Sequence, residues 1–370
     1  MIRCRTNCVL CEHHNLIDIV TLYKYPITPS SNNEEPSSDE YNDCIFSNCS
    51  LCGTVQLKNL IDPIKLYKNS HNSTENTPTW KEHHSLFASF ITDNSDTTDI
   101  LEIGGNSGTL YRLLCNKIKN YSILDICPTA PTEVTFFQGN CEDFDFKGHT
   151  HVVLSHTFEH LYSPRKFIEN LSKSRVKSVY ISIPNMENLY SSKNISIIHN
   201  EHTFFIGDHE IKYIFSQYGY LTATSKEFIN HSLFYHFMYN ESIFNESIKA
   251  PVPNNMIRAK NIKNYISDFE LFIKNINVSM PCYICPAGHY GQKIYYYLKQ
   301  YHNNIIGFID NDISKQGLRV YGTPKQVYSP NILKTHGVNI ICVILYAGPY
   351  TKELQSQLNL LHDNIHYINI

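Results

Sequence analysis

Long apolar runs are missing from this chain: none reaches the ~18 residues that a membrane-spanning helix requires, and the N-terminal MIRCRTNCVLCEHH lacks the continuous apolar core of a signal peptide. Excess charge is missing too. Lys and Arg number 31 against 34 Asp and Glu, for a formal net charge of −3, and the basic residues are scattered. No basic stripe is therefore available to a phosphate backbone. These absences point to a cytoplasmic protein that binds neither membrane nor nucleic acid. In a reducing compartment its twelve cysteines suit metal binding or free thiols better than a disulfide framework.

At 370 residues the chain is about twice the usual single-domain size, so two or three domains are expected. Cys4, Cys8, Cys11, Cys44, Cys49 and Cys52 precede a gap to Cys115, which marks off an N-terminal module over residues 1–57. Within it, Cys8-x-x-Cys11 and Cys49-x-x-Cys52 are two knuckles whose spacing lets paired thiolates take adjacent corners of a tetrahedron. Four thiolates leave no open position, so a structural zinc is expected, supplying folding energy to a module too small to be confident of a core. Cys4 and Cys44 fit no ligand position as well, and the polar, Pro-flanked stretch from Pro29 to Ser38 reads as a loop between the knuckles.

From about Trp80 apolar runs alternate with helical stretches. Asp99–Ile103, Tyr121–Leu124, Val134–Phe137, Val152–Leu154 and Val179–Ile183 read as strands, with helices at Thr109–Leu114 and Pro164–Ser172 between them. The alternation implies a mostly parallel, doubly wound sheet over residues 58–250. A second cycle follows over residues 251–370: a helix near Tyr265–Ile276, a strand at Cys282–Cys285, a glycine turn, a helix at Gly291–Tyr301, a strand at Asn304–Ile309 ending in Asp310, and a last strand at Ile340–Leu345. The fold class is α/β, with a small cysteine module before one nucleotide-type sheet and a second such sheet behind it. Cys282 and Cys285 lie in an apolar strand without a companion pair and read as core thiols.

The first strand runs into Glu102-Ile103-Gly104-Gly105-Asn106-Ser107-Gly108. Glycines here permit a tight turn and a close approach of ligand to the next helix. An acid two residues before the first glycine would repel a pyrophosphate and suits a positively charged ligand. Asp125, at the tip of the second strand, is placed for ribose hydroxyls. Asn140 follows the third strand, where an adenine edge would be read, and His156 follows the fourth on the crevice side. Carried together, Glu102, Gly104, Gly105, Asn106, Gly108, Asp125, Asn140 and His156 make the chain resemble the class I S-adenosylmethionine methyltransferases. It departs from them at His151, where that family usually has Asp.

Beyond the fifth strand, His199-Asn200-Glu201-His202 clusters two imidazoles and a carboxylate able to act as a base and its partner near neutral pH. With the two knuckles, Cys52-Gly53-Thr54-Val55-Gln56-Leu57, Glu201-His202, Ala287-Gly288-His289-Tyr290-Gly291 and Phe308–Gly317, the whole chain is similar to the three-domain sugar C-methyltransferases that act on nucleotide-linked keto-deoxysugars. The resemblance implies S-adenosylmethionine as cofactor, zinc in the N-terminal module and a nucleotide sugar as acceptor. It also implies a His-Glu-His triplet, of which Glu201 and His202 match the last two members and Asn200 takes the first place. In the approach to the central domain, where that family tends to have tyrosines, His71 stands as a further candidate near the acceptor.

On that footing His202 removes a proton beside a ketone and Glu201 helps to hold the charge. The sequence equally admits an oxygen acceptor with His202 as its base. It also admits an inactive, methyltransferase-like assembly protein, or an NAD site at Gly288–Gly291 and Asp310, although the three-glycine spacing is missing there. The nucleotide of the acceptor is expected against the C-terminal unit, the alternative role of that unit being homodimerisation.

Overall fold

The computed structural model describes residues 3–67, 78–95, 98–127, 131–191, 197–229, 231–242, 252, 254–337 and 339–370. The N-terminal module supplies strands β1 (Leu16–Pro26), β2 (Tyr41–Cys49) and β3 (Val55–Leu57). Helix α1 (Pro78–Asp93) leads into the central unit, made of β4 (Asp99–Ile103), α2 (Thr109–Leu114), β5 (Asn120–Asp125), β6 (Thr135–Gln138), β7 (His151–Ser155), α3 (Pro164–Lys173) and β8 (Ser178–Pro184). There follow β9 (Phe204–Phe205), α4 (Asp208–Ser216), β10 (Tyr220–Phe228) and β11 (Ser232–Tyr239). The last unit contains α5 (Met256–Lys274), β12 (Cys282–Cys285), α6 (His289–Tyr297), β13 (Ile305–Ile309), β14 (Val327–Tyr328), β15 (Ile341–Leu345), α7 (Thr351–Asn359) and β16 (Ile365–Asn369).

The central sheet runs β10-β11-β8-β7-β4-β5-β6. Its members from β6 to β8 are parallel, while β11 is antiparallel to both β8 and β10. Every residue of β8 is buried, as befits a central strand whose Ser-Val-Tyr-Ile-Ser-Ile-Pro run is covered on both faces. Helix α3 begins with Pro164 at its first position, where a missing N–H costs nothing, and presents Phe167, Ile168 and Leu171 to the core. Residue order reverses direction between β4 and β7, so the crevice above the carboxyl ends of these strands is the topological switch point. This is the Rossmann-like sheet expected of a class I methyltransferase. The second sheet, β14-β13-β12-β15-β16, is wholly parallel.

Several features differ from the sequence reading. The sheet of the N-terminal module, β9-β3-β2-β1, takes its fourth strand from Phe204–Phe205 of the central unit. One apolar cluster joins Leu22, Tyr25, Cys44 and Phe46 of that module to Ile262 and Ile266 of α5 and to Ile284 and Phe308 of the last sheet. The stretch from Pro29 to Ser38 is not a free loop: Ser31–Asn32 pairs with Arg319–Val320 of the last unit, and just beyond it the buried Asp39 carboxylate takes both terminal nitrogens of Arg319 at 2.7 and 2.8 Å. The final unit also ends one strand later than expected, in β16, and its first helix begins at Met256, ahead of Tyr265.

Candidate functional site

The turn after β4 is shaped by backbone that side chains tolerate poorly. Gly104 has φ +72°, and a Cβ there would lie 2.6 Å from the Thr157 hydroxyl, so the segment after β7 packs straight onto the turn. Asn106, also left-handed at φ +43°, donates its backbone N–H to Asp125 Oδ2 at 3.1 Å, while Cys127 N donates to Oδ1 at 2.9 Å. Two amides thus orient the carboxylate and leave each oxygen a lone pair for a hydroxyl. Burial raises its pKa, opposed by these amides. Glu102 lies beneath the turn, buried, and accepts from Tyr121 Oη at 2.9 Å; it supports the turn from below. Asn140 closes its own turn, Oδ1 accepting from Glu142 N at 2.9 Å.

His156 belongs to an aromatic cluster. With φ +49°, its ring meets the edge of Trp80 at 4.8 Å, and His83 and His231 lie within 5.0 and 5.6 Å of it. Ser232 Oγ is 2.8 Å from His156 Nε2, and Ser182 Oγ is 2.8 Å from His83 Nε2. Burial lowers the pKa of all three imidazoles, so they are neutral at pH 7. None of Trp80, His83 and His231 was singled out from sequence, because they come from α1 and from the turn before β11, far apart in the chain.

The loop before β9 carries the His199–His202 cluster to the junction of all three units. His199 is a staple: its Nδ1 accepts from the amides of Glu201 at 3.1 Å and His202 at 3.4 Å. Asn200 faces away and donates to the Pro26 carbonyl at 3.0 Å, so it ties the loop to β1. Glu201 is buried, and His289 of the last unit comes within 3.8 Å of its Oε1. The fully buried Lys293, one turn along α6, is lowered by burial to about 7, a fall that Glu201 opposes. Burial first, then the proximity of His160, His156 and Lys293, lowers the pKa of His202 well below the usual imidazole value; its Nε2 lies 3.8 Å from Glu159 Oε1.

This loop and the glycine turn share one edge of the sheet. Cys127 Sγ donates to the Tyr67 carbonyl at 3.5 Å, and Tyr67 Oη lies 2.7 Å from His160 Nδ1. Glu159, His160, Tyr67, His289 and Lys293 were thus not assigned from sequence, although Glu159 and His160 stand in the segment after β7 that was read as crevice-facing. His71 lies outside the described residues.

The four knuckle cysteines converge. Sγ–Sγ separations are 3.6 Å for Cys8–Cys52, 3.6 Å for Cys11–Cys49 and 3.5 Å for Cys11–Cys52. Bonds of ~2.3 Å at tetrahedral angles would set sulfurs ~3.8 Å apart, so the thiolates fit a zinc ion. The amides of Leu10 and Leu51 point at the first sulfur of each knuckle, both at 3.4 Å, as charge on sulfur would favour. Arg165 reaches from α3 to the Leu10 carbonyl at 2.8 Å and so seats the knuckle on the central unit.

No family model matches the chain, and no curated protein matches it. Similar solved structures include the magnesium protoporphyrin IX methyltransferase of Synechocystis PCC 6803 with bound SAH (13% identity, TM-score 0.37, 43% of this chain and 83% of that one). Others are the N-methyltransferase NodS of Bradyrhizobium japonicum WM9 with S-adenosyl-L-homocysteine (13%, 0.36, 45% and 90%) and the PH0226 protein of Pyrococcus horikoshii OT3 (11%, 0.39, 47% and 98%). Likeness at this level says nothing of what the present chain acts on.

Proposed function

We propose that the chain transfers a methyl group from S-adenosylmethionine to a small acceptor lying between its two α/β units, and that the acceptor is a nucleotide-linked keto-sugar methylated at the carbon beside the ketone. One observation carries this reading: an amide-oriented carboxylate at the switch point, Asp125, shares a sheet edge with a part-buried imidazole, His202, and a buried carboxylate, Glu201, that the last unit also reaches. The residues present fit the cofactor, since Asp125, at the end of β5 beside the glycine turn, is pre-oriented by two amides that leave a lone pair on each oxygen. When bound, the cofactor supplies an electrophilic methyl on a sulfonium.

His202, neutral in its dry setting, takes the proton from the acceptor carbon, and the C–H electron pair passes to the ketone oxygen as an enolate. Two nitrogen groups of α6 stand near Glu201, the buried Lys293 and the partly exposed His289, and can donate hydrogen bonds to charge that develops at that end of the crevice. Held in this crevice, the enolate carbon would be aligned as the nucleophile for the methyl that the cofactor would supply. The chain's contribution is alignment and exclusion of water. The four thiolates hold one zinc that fastens the N-terminal module and takes no part in this chemistry.

Incubation with a panel of nucleotide sugars and labelled methyl donor, followed by mass spectrometry, should show one added methyl on the sugar. Absence of S-adenosylmethionine binding by calorimetry would remove the methyltransferase reading altogether; binding without transfer to any keto-sugar would remove the acceptor. Elemental analysis of protein prepared without chelator should find about one zinc per chain.

A further inference from the structure

A carboxylate taken out of water needs partners, because an unpaired buried charge costs several kcal/mol. Glu159 is 4% exposed, and neither of its oxygens makes a hydrogen bond among the described residues. Three imidazole nitrogens nevertheless face its Oε1: His156 Nδ1 at 3.4 Å, His202 Nε2 at 3.8 Å and His160 Nε2 at 4.0 Å. These are too distant or misaligned to be hydrogen bonds, yet they converge on one point. Donor atoms of Glu159, His160 and His202 all lie within 4.8 Å of one another, and the His160 and His202 rings stand at 89° with centroids 4.8 Å apart.

We infer that Glu159, His160 and His202 form a second metal site, separate from the four cysteines, that takes a first-row divalent transition cation. Two imidazoles and one carboxylate, without sulfur, are a donor set for Zn2+, Co2+, Fe2+ or Mn2+. Bonds of ~2.0–2.1 Å would set the donors ~3.3 Å apart, so the trio has to draw in by roughly 0.5–1.5 Å. Glu159 sits on a short turn (Phe158–His160) and His202 on a loop, elements able to give by that much. The outer support is in place: Tyr67 Oη lies 2.7 Å from His160 Nδ1, and in the tautomer in which Nδ1–H donates to that oxygen, His160 Nε2 offers its lone pair on the side of Glu159. His156, whose Nε2 is engaged by Ser232, leaves its Nδ1 as a neighbouring fourth donor.

Occupation commits the lone pair of His202 Nε2 to the cation. The same nitrogen cannot then take a proton, so the loaded site silences His202 as a base. Cation binding itself does not depend on methyl transfer, and its test needs no acceptor.

The whole chain, first loaded with one equivalent of zinc, would be titrated with Co2+ and followed by visible absorption and by equilibrium dialysis with elemental analysis. A second equivalent should bind, giving d–d bands without the sulfur-to-cobalt charge transfer of a thiolate site. Glu159→Gln and His160→Ala should each weaken it by about tenfold or more while retaining the first equivalent, with near-ultraviolet circular dichroism reporting the fold. Failure of a second equivalent to bind at millimolar Co2+, or its survival at unchanged affinity in both variants, would overturn the site.

Discussion

The chain builds the strand, glycine turn, helix and acid-tipped strand twice, and the two copies diverge at the point where a ligand would enter. In the central unit Asp125 is steadied by two backbone amides and no side-chain cation is paired with it among the described contacts. In the last unit the equivalent acid, Asp310, is buried and held by Lys315 Nζ at 3.3 Å. That same ammonium lies 3.6 Å from where a Cβ on Gly288 would be, at a turn with φ +106°. The second unit therefore carries its own cation in the place of a ligand, and the cavity beside Asp310 is about 50 Å³, well short of the ~300 Å³ or more that a small-molecule site occupies. Similar secondary structure thus leaves one acid held by backbone amides and the other paired with a cation beside a small cavity. That unit instead turns His289 and Lys293 toward Glu201 on the loop before β9.

The largest effect is expected at the shared site. His202→Ala should lower methyl transfer by about 10²–10⁴-fold while S-adenosylmethionine affinity stays within about threefold, since a base acts on the transition state. Near-normal turnover with the true acceptor would pass the base to another group.

Next, Asp125→Ala should weaken cofactor binding by about 1.5–3 kcal/mol, the worth of hydrogen bonds to a charged acceptor, whereas Asp310→Ala should leave it unchanged. Calorimetry of the two variants side by side breaks the comparison if both, or only the second, lose affinity.

The loan of Lys293 can be read through pH. Burial lowers its pKa from 10.5 to about 7, so between those values the unfolded chain holds the extra proton and stability rises with pH; below about 7 the full cost of the buried ammonium is present. Lys293→Met should flatten this rise, which for one proton amounts to roughly 1 kcal/mol per pH unit. Urea denaturation of both proteins at several pH values from 7 to 9 makes the measurement, and parallel slopes would mean that Lys293 stays charged in the fold.

The smallest effect is expected from Lys315→Ala. Its ammonium is partly exposed, so the pair is worth only about 1 kcal/mol in denaturant midpoint, with cofactor affinity and turnover untouched. A loss of turnover would show that the second crevice takes part in the reaction after all.

Local chemistry made much of this protein readable in one dimension. The strands at Asp99–Ile103 and Cys282–Cys285 and the helix at Thr109–Leu114 were found to the residue, because apolar runs bounded by glycine turns have few other conformations open to them. Cys8, Cys11, Cys49 and Cys52 were legible because a Cys-x-x-Cys spacing is itself a geometric statement. Asp125 was legible because the acid at a strand tip is set by the strand's own end. The long hairpin of β10 and β11 was not, since its exposed and aromatic residues carry no clear two-residue alternation.

What remained hidden depends on who packs against whom. Glu159 became a buried carboxylate ringed by imidazoles only when the loop carrying His202 folded over it. His289 looked like part of a nucleotide turn, and Lys293 carried no reading at all, until α6 faced Glu201 across the unit boundary. Asp39 and Arg319, 280 residues apart, became a buried pair only when the N-terminal module docked on the last sheet. Sequence alone determined two nucleotide-type sheets, a four-thiolate module and a cofactor-type turn, since each follows from residues close in the chain. Tertiary structure decided which strand-tip acid meets a cation and which side chains meet across the units, because the cost of burying a charge is set by neighbours that no spacing along the chain specifies.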